Sequence, residues 1–254
     1  MSDIEEYKKE LAVTLAETGA LFFDKNLILK DGRPSPYFLN FGMFRTGQLS
    51  MDLGSHFAAM MVEQGLAEKV DIILGPSYKG SAIALATAIA LSVNHGMDLL
   101  FEYDRKEAKT HGEGSQAGSL FVNKTFYDGC RVFVVDDVVT SMGTKLELIE
   151  KVQAEAQAQK IQIKIVGIGI AVDREQTTAV YDKAGKVVLN KKGENTIQSF
   201  TRTTGIPVYA VARVRELMDF LYAEKVPVLI EGQKRPIDDA IKARLDEYLQ
   251  IYGV

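Results

Sequence analysis

One stretch constrains the fold more than any other: Arg131–Lys145, which reads R-V-F-V-V-D-D-V-V-T-S-M-G-T-K. Val132–Val135 is an unbroken run of β-branched and aromatic residues, the composition of a strand buried on both faces of a parallel sheet. The run ends in adjacent carboxylates, Asp136 and Asp137. Val138 and Val139 follow, then a polar turn, Thr140-Ser141-Met142-Gly143-Thr144. A helical pattern starts next, with Leu146, Ile149, Lys151 and Val152 in its first turns. A turn so placed presents free backbone N–H groups and a helix dipole, which suit a phosphate. Thr140, Ser141 and Thr144 add hydroxyl donors. The carboxylates fall at the carboxyl end of the strand, where open α/β sheets bind ligands. They can accept from sugar hydroxyls or face a Mg²⁺ ion. Taken alone, an Asp-Asp pair after an apolar run reads more readily as a Walker-B-like strand or a strand end with two solvated carboxylates. The attached turn reverses that preference, and diol acceptors beside a phosphate cradle fit a ribose 5-phosphate.

Around this centre, apolar runs alternate with helical patterns. Helical spacing is expected over Ile4–Phe23, Gln48–Gln64, the Ala-rich Ser81–His95, Gly143–Gln159, Val214–Glu224 and Ile237–Tyr252. Strands are expected at Leu27–Leu29, Tyr37–Phe41, Asp71–Leu74, Leu99–Tyr103, Ile161–Val172 and Val208–Val211. The breaker-rich Lys30–Pro36 between the first two predicts a small antiparallel flap. The later alternation implies parallel pairing, and thus an α/β fold with a doubly wound, mostly parallel sheet flanked by helices. Turn signals around Val187-Val188-Leu189 predict a β-hairpin excursion at 181–197. With no repeat or linker, the expectation is one domain over 1–254, with an N-terminal hood over about 1–45, a core over about 46–215 and C-terminal helices over about 213–254.

Two further stretches can carry chemistry. From Asp104 to Ser119, in Y-D-R-K-E-A-K-T-H-G-E-G-S-Q-A-G-S, there is no large apolar residue. A segment this poor in apolar surface is either an ordinary exposed loop or a lid carrying Arg105, Lys106, Lys109 and His111 over a polyanion. Gly75-Pro76-Ser77-Tyr78-Lys79-Gly80 lacks the spacing of a Walker A loop. It either stabilises the start of the next helix or turns backbone amides toward a second phosphate.

Composition excludes several classes. A formal charge of −4 argues against a general nucleic-acid binder. The single Cys130 rules out an internal disulfide, and three scattered histidines suggest no zinc or iron site. No apolar run approaches the ~20 residues of a membrane span, and the charged N-terminus has no apolar signal core. A cytoplasmic protein is therefore expected.

Together these stretches resemble one family. The string V-V-D-D-V-V-T-S-M-G-T is similar to the phosphoribosyl-pyrophosphate (PRPP) motif of type I phosphoribosyltransferases. With L-K-D-G-R-P-S-P-Y-F, G-P-S-Y-K-G and Y-D-R-K-E-A-K-T-H-G-E-G it resembles the orotate phosphoribosyltransferases, from Leu11 to about Arg174. The resemblance implies transfer of the phosphoribosyl group of PRPP to orotate, with Mg²⁺, giving orotidine 5′-monophosphate and pyrophosphate. Asp136 and Asp137 would hold the ribose hydroxyls, Mg²⁺ being held mainly by PRPP with these carboxylates in reach. Thr140, Ser141, Met142, Gly143 and Thr144 would cradle the 5′-phosphate, with Val138 and Val139 also in the PRPP site. Tyr78, Lys79, Arg105, Lys106, Lys109 and His111 would surround the pyrophosphate, with Lys79, Arg105, Lys109 and His111 the catalytic set. Lys30, Phe38, Thr140 and Arg174 would bind orotate. The family also implies a homodimer in which the lid, 104–119, completes the neighbouring subunit's site.

Two positions depart from the family pattern. Met142 stands where Gly is usual, so a differently shaped turn is expected. Leu39 stands where a second aromatic is common, which leaves stacking to Phe38. The 181–197 excursion and the tail beyond Val226 lie outside the match. A phosphoribosyltransferase for another base and a PRPP-sensing regulator are the alternatives.

Overall fold

The apolar run at 132–135 forms the centre of a parallel sheet, and every residue of it is almost completely buried. The computed structural model describes residues 4–106, 120–138 and 142–254. In chain order the elements are α1 (Glu6–Glu17), β1 (Leu21–Phe23), β2 (Tyr37–Leu39), α2 (Gly47–Glu63), β3 (Ile72–Gly75), α3 (Lys79–His95), β4 (Leu100–Tyr103) and β5 (Cys130–Val138). Then come α4 (Gly143–Gln159), β6 (Ile163–Asp173), α5 (Thr196–Thr204), β7 (Val208–Arg213), α6 (Val214–Ala223), β8 (Pro227–Ile230), β9 (Gln233–Pro236) and α7 (Asp239–Tyr252).

Five strands form one sheet in the order β4-β3-β5-β6-β7, all parallel. This is the doubly wound arrangement, with its switch in strand order between β3 and β5. Side chains alternate across it as strand geometry requires. Ile73, Phe133 and Val135 join a core with α1, α2, α3, α6 and α7, while Ile72, Leu74, Val132 and Val134 join another with α4 and α5. The bulk of Phe133 is accommodated by β6. A Cβ on Gly167 or Gly169 would lie 2.9 Å or 2.8 Å from its ring, so those positions exclude any side chain.

The second sheet, β2-β1-β8-β9, is the hood, and it joins both ends of the chain. The helix expected to reach Phe23 stops at Glu17, because Gly19 takes a left-handed conformation (φ +69°) and releases Leu21–Phe23 into a strand. That strand pairs antiparallel with β2 and parallel with β8. The tail is therefore more than helices: Pro227–Pro236 is a hairpin whose two-residue turn, Glu231-Gly232, has positive φ at both positions. One more expectation is corrected. Leu27–Leu29 is no strand but one limb of a tight turn closed by a bridge between Ile28 and Pro34. The excursion at 181–197 carries the expected hairpin in short form: Tyr181 and Val187 make an isolated antiparallel bridge and Val188 N donates to Val180 O at 2.7 Å. It ends in α5, whose N-cap Asn195 accepts from Gln198 N. No described helix is long and apolar enough to cross a membrane.

Candidate active site

The carboxyl ends of β3 and β5 are neighbours, and the helices that follow them, α3 and α4, pack on opposite faces of the sheet. This opens the crevice in which doubly wound folds bind ligands. Asp136 and Asp137 stand at its floor. Asp136 is almost buried, and its Oδ2 accepts from Lys145 Nζ, itself only 3% exposed. Its Oδ1 accepts from Asp137 N at 3.0 Å. Burial pushes the Asp136 carboxyl above the usual range; Lys145 pulls against that shift and Asp137 adds to it. Asp137 accepts from Val138 N at 2.7 Å and from Lys79 Nζ at 3.1 Å. The Lys79 side chain is 55% exposed, so this pair is weakly held and exchangeable.

The 75–80 turn closes against the same floor. A Cβ on Gly75 would lie 1.9 Å from Gly80 O, and one on Gly80 would meet Pro76 at 2.4 Å, so both glycines are required for the close approach. The Ser77–Tyr78 peptide is cis, and the Tyr78 ring is largely exposed. Lys106 Nζ lies 5.1 Å from the centroid of that ring. Asp104 ties this turn to the start of the predicted lid. It accepts from Ser77 N at 2.6 Å and from Lys151 of α4, while Ser77 Oγ donates to its carbonyl. The return limb is beside it, with Arg105 N donating to Leu120 O at 2.6 Å. Fully buried Glu102 anchors that limb by accepting from the backbone N–H groups of Val122, Asn123 and Thr125. Arg105 and Lys106 therefore leave from a fixed neck. Lys109, His111, Val139, Thr140 and Ser141 lie outside the described residues.

Helix α4 begins with Gly143 and Thr144, and its N-cap residue, Met142, makes no side-chain capping hydrogen bond. Met142 adopts φ −83°, ψ 6°, which needs no glycine, and its side chain is buried with Leu148 and Ile149. The methionine thus anchors the turn to the core.

Arg174 follows β6, one strand over from the acid pair at the same end of the sheet. It is buried, with Nε donating to Tyr37 Oη at 3.3 Å, Nη2 to Ser35 Oγ at 3.4 Å, and the guanidinium 4.7 Å from the Tyr37 ring centroid. Phe38 points to the opposite face of β2, where its ring meets Phe22 at 5.7 Å. Leu39 is buried in the core, so an aromatic there would face inward in this arrangement. Lys30 is exposed on the turn before Arg33. The structure therefore gathers Tyr78, Lys79, Lys106, Asp136 and Asp137 into one cluster, and joins Arg174 to Tyr37 and Ser35 rather than to Phe38.

Sequence reasoning missed Lys145, Asp104, Lys151 and Glu102. For Lys145 a signal existed: it shares the helical face of Leu148, Ile149 and Val152, and a cation on a core face requires a buried partner.

Residues 42–206 match the phosphoribosyl transferase domain family. The chain is 34% identical over 247 residues to an orotate phosphoribosyltransferase of Bifidobacterium adolescentis, covering 94% of each chain. It is 32% identical over 253 residues to the orotate phosphoribosyltransferase of Chromohalobacter salexigens, covering 97% of each. A crystal structure of orotate phosphoribosyltransferase from Francisella tularensis superposes with a TM-score of 0.70 at 24% identity, covering 96% of this chain and 98% of that one. At that identity the likeness concerns the fold.

Proposed function

The chain belongs to the orotate phosphoribosyltransferases of the phosphoribosyltransferase family, and from that premise we infer its reaction and the residues that perform it. It transfers the 5-phosphoribosyl group of PRPP to N1 of orotate, giving orotidine 5′-monophosphate and pyrophosphate for UMP synthesis. The observation that carries this reading is the acid pair at the switch point, with Lys79 reaching Asp137 from one side and the N-terminus of α4 on the other.

Asp136 and Asp137 accept from the ribose 2′- and 3′-hydroxyls, since each carboxylate oxygen keeps a second acceptor site after its internal bond. The N–H groups at Gly143 and Thr144, with Thr140 and Ser141, receive the 5′-phosphate. Lys79 exchanges Asp137 for the pyrophosphate, joined by Tyr78, Arg105, Lys106, Lys109 and His111. As the C1′–O bond breaks, its electron pair leaves on pyrophosphate, where these cations stabilise the growing charge. N1 of orotate, held by Arg174 with Lys30, Phe38 and Thr140, closes the new bond on the opposite face and gives up its proton to the departing pyrophosphate. The 104–119 lid keeps water from the ribosyl centre.

Mg²⁺ is part of the same reading. Among the described residues no three His, Cys, Asp or Glu side chains are arranged to hold a metal, and each carboxylate of the pair already has a lysine. This donor set fits a Mg²⁺ carried on the diphosphate of PRPP, near Asp136 and Asp137, rather than a protein cage. When bound, it would neutralise charge on the leaving group.

A homodimer is supported by an exposed apolar row on α3, Leu85, Ile89 and Val93, spaced four residues apart on the helix that Lys79 begins. A cytoplasmic location completes the proposal and is checked by cell fractionation.

The test is loss of orotate absorbance on mixing protein, PRPP and Mg²⁺. The expected result is a loss that needs all three and disappears in the Asp136→Asn/Asp137→Asn protein. Activity with another base and none with orotate would overturn the substrate assignment.

A further inference from the structure

Both segments outside the family motifs, the excursion after β6 and the C-terminal helix α7, dock on one short loop, residues 30–37. That loop carries Lys30 and leads into Phe38. We propose that they form a brace for the base side of the site, with Tyr248 and Tyr252 as positioning residues for orotate.

The brace centres on Arg33, a cation only 1% exposed. Its Nε and Nη2 donate to Asp31 Oδ2 at 2.9 Å and 2.6 Å, and its Nη1 donates to Thr177 O at 2.8 Å. Tyr252 covers the guanidinium face at 5.4 Å. Tyr252 is itself fixed by the excursion: its carbonyl accepts from Thr177 N at 2.9 Å and Thr177 Oγ1 at 3.0 Å, and its hydroxyl accepts from Asn190 N at 3.0 Å. From the far side, Tyr181 donates to Asp31 O at 3.2 Å. Val187 packs on Gly32, where φ is +87° and a Cβ would lie 3.0 Å from the valine. The turn after Lys30 is therefore gripped on both sides.

The same helix reaches Arg174 through one intermediate. Tyr248 meets the Tyr37 ring edge-on at 6.0 Å, and its hydroxyl accepts from Gln176. The Tyr37 hydroxyl accepts from Arg174. A buried guanidinium whose hydrogen-bond partners among the described residues are hydroxyls has its direction set by where those hydroxyls are held. Among the described residues, no hydrogen bond of α7 or of the excursion reaches 78–79, 104–106 or 136–145. The brace touches the base side and leaves the phosphate side alone, which gives it a kinetic signature distinct from general stabilisation.

The proposal rests on Lys30 and Arg174 facing orotate, and the experiment separates the two ideas. Tyr252→Leu and Tyr248→Leu are expected to raise KM for orotate about 10-fold while KM for PRPP stays within about 2-fold. Tyr252→Phe, which keeps the ring over Arg33, should restore most of the orotate KM. Arg174→Ala is measured alongside. If Arg174→Ala raises the orotate KM and Tyr252→Leu does not, the brace is wrong and the base site stands. An unchanged orotate KM in Arg174→Ala sinks both. Equal rises in both KM values for Tyr252→Leu, with a lower melting temperature, would reduce the tyrosines to fold stability. Should the leucine variants not fold, Tyr181→Phe reads the same grip from the exposed side. An orotate KM raised about 2-fold supports the brace, and an unchanged one overturns it.

Discussion

A lysine that is 3% exposed persists only beside a charge that neutralises it, and Lys145 has Asp136. The pair does two jobs. It holds the first turn of α4 against the end of β5, and it leaves Asp136 a buried acceptor aimed by its own counter-ion. Removing one partner leaves an uncompensated buried charge, whereas replacing both with apolar groups can be close to neutral. Lys145→Met is therefore expected to lower unfolding free energy by about 3 kcal/mol, and Asp136→Leu/Lys145→Met to recover most of that loss. Urea titration of the single and double variants measures the difference. Equal losses in both would show that volume, not charge, makes Lys145 matter.

Helices α2 and α3 approach closely: a Cβ on Gly54 would lie 2.4 Å from the backbone of Ala86. His56, also on α2, is buried, and its Nε2 has no hydrogen-bond partner among the described residues. Burial pushes its imidazole down to about 4, with Asp52 opposing weakly. The native state thus favours the neutral ring, while the unfolded chain takes up a proton below about 6.5. Stability is fully present above that pH and is lost as pH falls toward 4. From this group alone the loss at pH 5 is about 2 kcal/mol. Urea midpoints at pH 7 and pH 5 should separate in the natural protein and converge in His56→Leu. An identical separation in the variant would assign the acid sensitivity elsewhere.

For the whole molecule, the proposed dimer places the lid of one subunit over the crevice of its partner. The neck formed by Asp104, Glu102 and the 120–125 limb fixes where the lid leaves. Lys109→Ala and Asp137→Asn damage different parts of one composite site. Each homodimer should be nearly inactive, whereas refolding the two together should restore about one quarter of full turnover, because half the random dimers carry one intact site. No gain on mixing would mean that each lid serves its own subunit.

The sequence alone determined the parallel sheet, the position of the acid pair, the apolar-poor composition of 104–119 and the turn at 75–80. Those features rest on short-range patterns: an apolar run records a buried strand, and its end records the crevice. It also carried the turn signals at Gly19, where helix-like spacing over Ile4–Phe23 obscured the following strand, and at Glu231-Gly232, whose flanking segments are too short to announce strands. Only the tertiary structure decided how β1 pairs with β8, because main-chain hydrogen bonds between distant strands carry no side-chain signature. It likewise decided that Met142 is buried as an anchor, that Arg174 faces Tyr37 while Phe38 faces Phe22, and that Arg33 joins Thr177 and Tyr252. Periodicity tells which side of an element is buried; which groups meet there depends on the packing of elements far apart in the chain.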